Sequence, residues 1–196
     1  MPPILYFITT LFSLGTLIVD IALVLLLVWY VLWRLVGGRD GGDSGVHTRG
    51  PFQPIVTWVG TNAVCLGLMV SALAVAGSLF FSNIVGFTPC ELCWWQRIFI
   101  YPQVVIFALA AVYDRRGKPL GPVFSISGVL SLVSFLISAF QYYGATFNAS
   151  ALAACSATGV SCAKTYFVEF GYVTIPVMSL TVSVLLLGIV FARRFR

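Results

Sequence analysis

At 196 residues the chain is 60% hydrophobic and only 9% charged, with a mean hydropathy of +1.01. Soluble globular domains carry about 25% charged residues, so these values exclude a soluble fold and require a protein that is integral to a membrane. The net charge of +5 does not indicate a nucleic-acid binder, because the basic residues gather at the ends of apolar runs and form no basic face with interleaved aromatics.

Ile4 to Leu35 is the first apolar run. As helix, its roughly 30 residues reach about 45 Å, more than the ~30 Å hydrocarbon core. It is too long for a secretory signal and has no positive region ahead of it. Asp20 precedes Arg34 by 14 residues, roughly 21 Å of helix, which places it in the outer half of the membrane. An acid inside a span is a functional candidate. The simpler reading is a side chain near the outer headgroups, or one bonded to a hydroxyl on a neighbouring helix. Gly37 to Pro54 is glycine-rich and polar, the composition of a flexible linker, and holds the single histidine, His47. No histidine accompanies the cysteines, so Cys–His nucleophilic catalysis lacks its base. A c-type haem site needs His directly after Cys-x-x-Cys, where this chain has Trp94.

Ile55 to Phe81 is the second expected span, with Asn62 placed to hydrogen-bond across helices and Cys65 read as a small buried packing residue. After a short loop, Ser82 to Pro89, the third span runs from Cys90 to Val112 and is expected to kink at Pro102. Asp114 to Pro119 is a tight polar turn, and Pro122 to Tyr143 is the fourth span. Gly144 to Ile175 is a long loop. The fifth span opens at Pro176, a residue favoured in the first helical turn, and ends before Arg193. Five spans place Arg34, Arg39, Arg49, Arg115, Arg116, Lys118, Arg193, Arg194 and Arg196 on one side, nine of the eleven basic residues, with Arg97 and Lys164 the exceptions. The positive-inside rule then puts the N-terminus out and the C-terminus in. Cys90, Cys93, Cys155 and Cys162 fall on the exterior, where paired cysteines form disulfides.

The expected architecture is therefore all-α and integral to the membrane, with five transmembrane helices: one over residues 1–36, then a cytoplasmic linker over 37–54, then four over 55–196 with exterior loops 82–90 and 144–175.

Chemistry concentrates in Cys90-Glu-Leu-Cys-Trp-Trp-Gln-Arg97. A Cys-x-x-Cys at a helix start meets unpaired backbone N–H groups that favour a thiolate, the reacting form in disulfide exchange. Arg97 lies four residues after Cys93 and Tyr101 four further on, so they share one helix face. Arg97 can stabilise a thiolate or the negative charge developing on a bound acceptor such as a quinone. Trp94 and Trp95 offer flat apolar surface at headgroup depth on which a quinone ring could sit. The plainer alternatives are an aromatic belt, a snorkelling arginine and an inert bridge. Cys155 and Cys162 are separated by six residues that include Gly159, so a local disulfide is geometrically feasible. Closing so short a loop stabilises little, which suits an exchangeable bridge, although a structural staple fits the spacing as well. The aromatic stretch Tyr166 to Tyr172 reads as a segment lying along the outer membrane surface. A zinc site built from the four cysteines fits the first spacing and not the second.

Three stretches carry a family resemblance: Cys90-Glu-Leu-Cys-Trp-Trp-Gln-Arg-Ile-Phe-Ile-Tyr-Pro102, the closely spaced Cys155 and Cys162, and Phe170-Gly-Tyr-Val-Thr-Ile-Pro176. From Ile55 onward the chain resembles the disulfide bond formation protein B (DsbB) family of quinone-dependent thiol oxidases, and within it the BdbC-like branch. Ile4 to Pro54 departs from the family's four-span pattern, so the resemblance implies a four-helix transmembrane bundle over 55–196 that carries the redox chemistry, plus an extra N-terminal transmembrane helix over 1–36. The resemblance implies that a reduced, exported thioredoxin-fold partner of the DsbA or BdbD kind exchanges with a Cys155–Cys162 disulfide, through a mixed disulfide at Cys155. It further implies that Cys162 passes electrons to Cys90, and that a membrane quinone, ubiquinone or menaquinone, reoxidises the Cys90–Cys93 pair beside Arg97. Vitamin K epoxide reductases are similar bundles in which the loop cysteines precede the Cys-x-x-Cys; here the order is reversed. A membrane scaffold with two stapled outer loops is the non-enzymatic alternative.

Overall fold

A computed structural model describes residues 3–36, 52–156 and 160–194; His47 and the charges of the linker, Arg39, Asp40, Asp43 and Arg49, lie outside the described residues. Helix α1 spans Pro3–Val36, α2 Gln53–Thr61, α3 Ala63–Leu79, α4 Glu91–Arg115, α5 Gly121–Phe147 and α6 Ile175–Arg194. Five of these helices are long and apolar enough to cross a membrane, α2 being too short. Apart from one isolated bridge between Glu169 and Val173, no β-pairing occurs among the described residues. The chain is a multi-pass helical membrane protein, as its composition requires.

The second span differs from its sequence expectation. Hydropathy runs unbroken from Ile55 to Phe81, but the helix breaks at Asn62, whose backbone N–H and side-chain Nδ2 both return to the Trp58 carbonyl, at 3.1 and 2.9 Å. Asn62 thus caps α2 and does not bridge to another helix. The preceding nine-residue α2 packs on α6, where Arg193 Nη1 donates to the Gly60 carbonyl at 3.1 Å. The membrane-crossing segment is Ala63–Ile84, with a last π-helical turn over Phe80–Ile84. Cys65 also departs from expectation, because it is exposed. The inward stripe of α3 is Ala63, Gly67 and Ser71 at four-residue intervals, and Cys65 sits two positions off it, on the opposite helix face.

Small and hydroxylated residues hold the bundle together, as expected where lipid removes the hydrophobic drive between helices. Helix α5 buries Ser127, Ser131, Ser134 and Ser138. Gln103 of α4 is fully buried; it donates to Ser131 at 2.7 Å and accepts from Ser127 at 2.6 Å. Ser183 of α6 reaches Ser134 at 3.0 Å, and Ser138 reaches Ser179 at 3.0 Å. On α3, Gly67 leaves the space that the Phe107 ring occupies. Helix α4 runs continuously through Pro102, which faces outward. It closes on Gly117 at φ +65°, with Gly117 N–H bonded to the Asp114 carbonyl at 3.1 Å and Lys118 N–H to that of Tyr113 at 3.0 Å. This reversal needs the left-handed backbone that glycine takes without strain.

Two clusters occupy opposite ends of the bundle. One is apolar, built on Ala63, Phe107, Phe124, Leu186 and Ile189 near the basic helix ends. The other, at the far ends of α4 and α5, holds the cysteines. Helix α1 stands at the side, with only 6% of its apolar window buried.

Candidate active site

Cys90 caps the start of α4 in extended conformation (φ −76°, ψ 175°) and is 4% exposed. The approach to it is fixed by aromatic packing. Phe87 stacks on Tyr166 at 4.5 Å between ring centroids, and the Tyr166 hydroxyl donates to the Thr88 carbonyl at 2.6 Å. Tyr166 and Phe167, at the start of the 166–172 stretch, therefore lie against the 82–90 loop. The extended cap directs the Cys90 sulfur back toward Cys93 one turn later, and the two Sγ atoms are 2.9 Å apart. A disulfide bond is about 2.05 Å long, so closure needs only a small side-chain adjustment. The hydrogen bond with Cys93, followed by burial, pushes the Cys90 thiol well above the ordinary thiol range.

A glutamine pair anchors these sulfurs. Gln96 Nε2 donates to Gln141 Oε1 at 2.8 Å, which turns the Gln141 amide so that its Nε2 faces Cys90 Sγ at 3.3 Å and Cys93 Sγ at 3.7 Å. Both glutamines are buried. They were not among the residues singled out from sequence; a buried amide inside an apolar span was the available signal.

The second pair reaches the first through the loop after α5. A 3-10 helix over Ala149–Ser156 lays Leu152, 1% exposed, against Gly144, which leaves room for it. Cys90, Leu152 and Cys162 form one buried cluster, with Cys93 and Cys155 packed against it. Four of the five cysteines thus meet at one place although the pairs lie more than 60 residues apart in sequence; Cys65 stays away. Cys162 is 2% exposed, and its thiol donates to the Cys155 carbonyl at 3.8 Å. Burial and the hydrogen bond with Cys162 push the Cys155 thiol from 9.0 up to about 12.

Arg97 is held against α3 by Ser78. Its Nε donates to Ser78 Oγ at 3.1 Å and its Nη2 to the Ser78 carbonyl at 3.3 Å, while the Tyr101 hydroxyl donates to the same Ser78 Oγ at 3.0 Å. The guanidinium also lies 5.1 Å from the centroid of the Trp94 ring. Ser78 was invisible in sequence as a site residue; its place is set by α3 passing α4. These groups, with Cys93, border a cavity of about 780 Å³ that is otherwise mostly apolar, within the roughly 300–1,000 Å³ usual for small-molecule sites. Trp94 and Trp95 are not among the residues that line it. They are 55% and 48% exposed on the outer side of α4, and Trp94 serves instead as a plate under Arg97.

The chain is similar to known disulfide bond formation proteins. The family model for disulfide bond formation protein DsbB matches residues 60–192. The chain is 35% identical over 121 residues to disulfide bond formation protein C of Bacillus subtilis, covering 61% of this chain and 83% of that protein. It is 38% identical over 124 residues to a probable disulfide formation protein of Oceanobacillus iheyensis, covering 60% and 79%. It is 41% identical over 112 residues to probable disulfide formation protein C 1 of Bacillus anthracis, covering 56% and 76%. No solved structure matches. The match begins near the end of α2 and leaves α1 outside it, and on its extent this chain belongs to the DsbB family of disulfide bond formation proteins.

Proposed function

We propose that this chain oxidises the thiols of an exported thioredoxin-fold partner and delivers the electrons to a membrane quinone, ubiquinone or menaquinone, with Cys155 and Cys162 as the entry pair and Cys90 and Cys93 as the exit pair. The observation that supports it most is the meeting of both pairs in one buried cluster beside an apolar cavity that Arg97 and Tyr101 border.

In the first exchange a partner thiolate attacks one sulfur of the Cys155–Cys162 disulfide and expels the other. Cys162 is 2% exposed whereas Cys155 is only half-buried, so the accessible course is attack on Cys155 with departure of Cys162, and the partner's second thiol then resolves the mixed disulfide. Cys162 is buried against Cys90, so the Cys162 thiolate attacks Cys90 Sγ of the Cys90–Cys93 disulfide and expels Cys93. Attack of Cys155 on Cys162 closes the loop disulfide again. The net result is one disulfide formed in the partner and the Cys90–Cys93 pair reduced by two electrons and two protons. The first backbone N–H groups of α4, the Gln141 amide and Arg97 are the donors that favour negative charge on Cys93.

The cavity fits a quinone: its wall is mostly apolar, and the hydrogen-bonded group of Arg97, Ser78 and Tyr101 lines it together with Cys93. A bound quinone supplies a two-electron, two-proton acceptor that regenerates the Cys90–Cys93 disulfide. The lipid-facing position of the bundle gives such a molecule access from the bilayer. The test follows quinone absorbance with a reduced thioredoxin-fold donor. The wild-type chain is expected to turn over, and Cys93→Ala and Cys155→Ala to lose on the order of 100-fold or more in rate. Normal rates in both variants would reduce the cysteines to inert staples of a scaffold.

A further inference from the structure

Helix α1 lies outside the family match and has no role in the exchange chemistry. It nevertheless takes part in the cavity. Leu11, Phe12, Gly15, Thr16 and Val19 line it together with Arg97 and Cys93. Those positions span about 12 Å along the helix. Two contacts hold α1 there. At one end the Phe12 ring packs 6.0 Å from both Phe80 and Phe81, at the π-helical turn that ends the α3 span. At the other end Asp20 accepts hydrogen bonds from two separate elements. Tyr172, in the turn before α6, donates its hydroxyl to Oδ2 at 3.1 Å, and Thr181 of α6 donates to Oδ1 at 2.6 Å. A carboxylate within a span is costly unless it is bonded, and here both of its oxygens are engaged by donors that also border the cavity. Farther along, Trp29 and Tyr30 pack on Phe52, and most of the rest of α1 is exposed to lipid.

We propose that α1 is an additional wall of the acceptor site, latched by Asp20, and that it binds the apolar tail of an isoprenoid quinone while Arg97, Ser78 and Tyr101 face the ring. The proposal rests on the quinone reading above. The chemistry of the α1 wall is that of a tail site. Leu11, Phe12 and Val19 offer hydrocarbon and Gly15 a shallow groove, and the one hydroxyl, on Thr16, is already donated to the Phe12 carbonyl at 3.0 Å. Asp20 is a positioning residue: it holds the wall in place and touches no reacting atom.

Two measurements test this. The first uses the full chain in bilayer nanodiscs, with dithiothreitol as electron donor and one quinone ring carrying a long isoprenoid tail, a short tail or no tail. Asp20→Ala is expected to raise KM for the long-tailed quinone about tenfold and to change KM for the tailless ring much less, with kcat less affected than KM. Asp20→Asn, which keeps an acceptor for one hydroxyl and offers the other an N–H donor, is expected to recover part of the loss, and Tyr172→Phe to show a smaller part of it. A KM change equal for all three tails, or none in Asp20→Ala, would overturn the tail site. The second measurement is independent of turnover. An isoprenoid quinone with a photoreactive group on its tail is expected to label α1 between Leu11 and Val19, as read by mass spectrometry. Labelling of α3, α4 or α6 without α1 would remove the wall and leave the quinone reading standing. No labelling of any helix by a tailed quinone would sink the quinone reading and the tail site together.

Discussion

Cys155 and Cys90 both hold their protons, for different reasons: burial leads at Cys155, whereas the hydrogen bond with Cys93 leads at Cys90. The first has a direct consequence for reactivity. Alkylation proceeds through the thiolate, whose fraction rises about tenfold per pH unit below the pKa. In the reduced protein the Cys155 alkylation rate is therefore expected to keep climbing above pH 9.0 and to level only near about 12. Levelling near 9, the ordinary thiol value, would show that the loop does not bury this sulfur. Arg97 makes two bonds to Ser78, one to the hydroxyl and one to the carbonyl. Arg97→Ala is expected to raise KM for quinone about tenfold or more while leaving partner exchange at the loop pair nearly intact. Ser78→Ala, which spares the carbonyl bond, should cost only a few-fold. Equal losses in the two variants would place the role of Arg97 elsewhere. The cysteines and Arg97 were legible in the sequence because their spacing and the family resemblance marked them. Gln96, Gln141 and Ser78 were not, because their importance is a matter of which side chain they face. Gln96 and Gln141 are 45 residues apart, and Arg97 is 19 from Ser78; spacing within one helix says nothing about such pairs.

Helices bring these groups together through a few close approaches. A Cβ added at Gly144 would stand 2.6 Å from Leu152 Cγ, and Leu152 is the side chain that seats the loop cysteines. Gly144→Ala is expected to destabilise the protein by about 1–3 kcal/mol and to slow oxidation of the partner as the loop lifts from Cys90. Thermal unfolding in detergent and the partner assay read the two effects. An unchanged Tm with unchanged rate would mean that Leu152 moves freely and does not position the pair. Element existence was legible, since mean hydropathy and the charge clusters marked the five spans. The break at Asn62 was not, because hydropathy averages over the apolar run from Ile55 to Phe81 and is blind to a lost backbone hydrogen-bond ladder. The same blindness misplaced Cys65. It is apolar and lies in a span, but only the inward stripe of Ala63, Gly67 and Ser71 shows that it faces out. Trp94 and Trp95 show the converse limit, since aromatic side chains beside a site look alike in sequence whether they line a cavity or face lipid.

At the scale of the whole molecule, the apolar cluster and the basic helix ends lie at one pole and the cysteines at the other. The distribution of arginine and lysine orients the cysteine pole outward. Lys164 and Asp114 are exposed at opposite poles, which makes the orientation measurable. In intact cells a membrane-impermeant maleimide is expected to label Lys164→Cys, and to label Asp114→Cys only after lysis; the reverse pattern would invert the topology. The order of the two cysteine pairs along the electron path is tested most directly by changing the donor while following quinone reduction. With a reduced thioredoxin-fold protein as donor, Cys155→Ala and Cys93→Ala should both be inactive. With dithiothreitol, which needs no docking at the loop, Cys155→Ala should regain turnover through Cys90 and Cys93, while Cys93→Ala stays inactive. Turnover by Cys93→Ala with either donor, or a Cys155→Ala protein that oxidises the protein donor at the wild-type rate, would contradict a relay from the loop pair through Cys90 and Cys93.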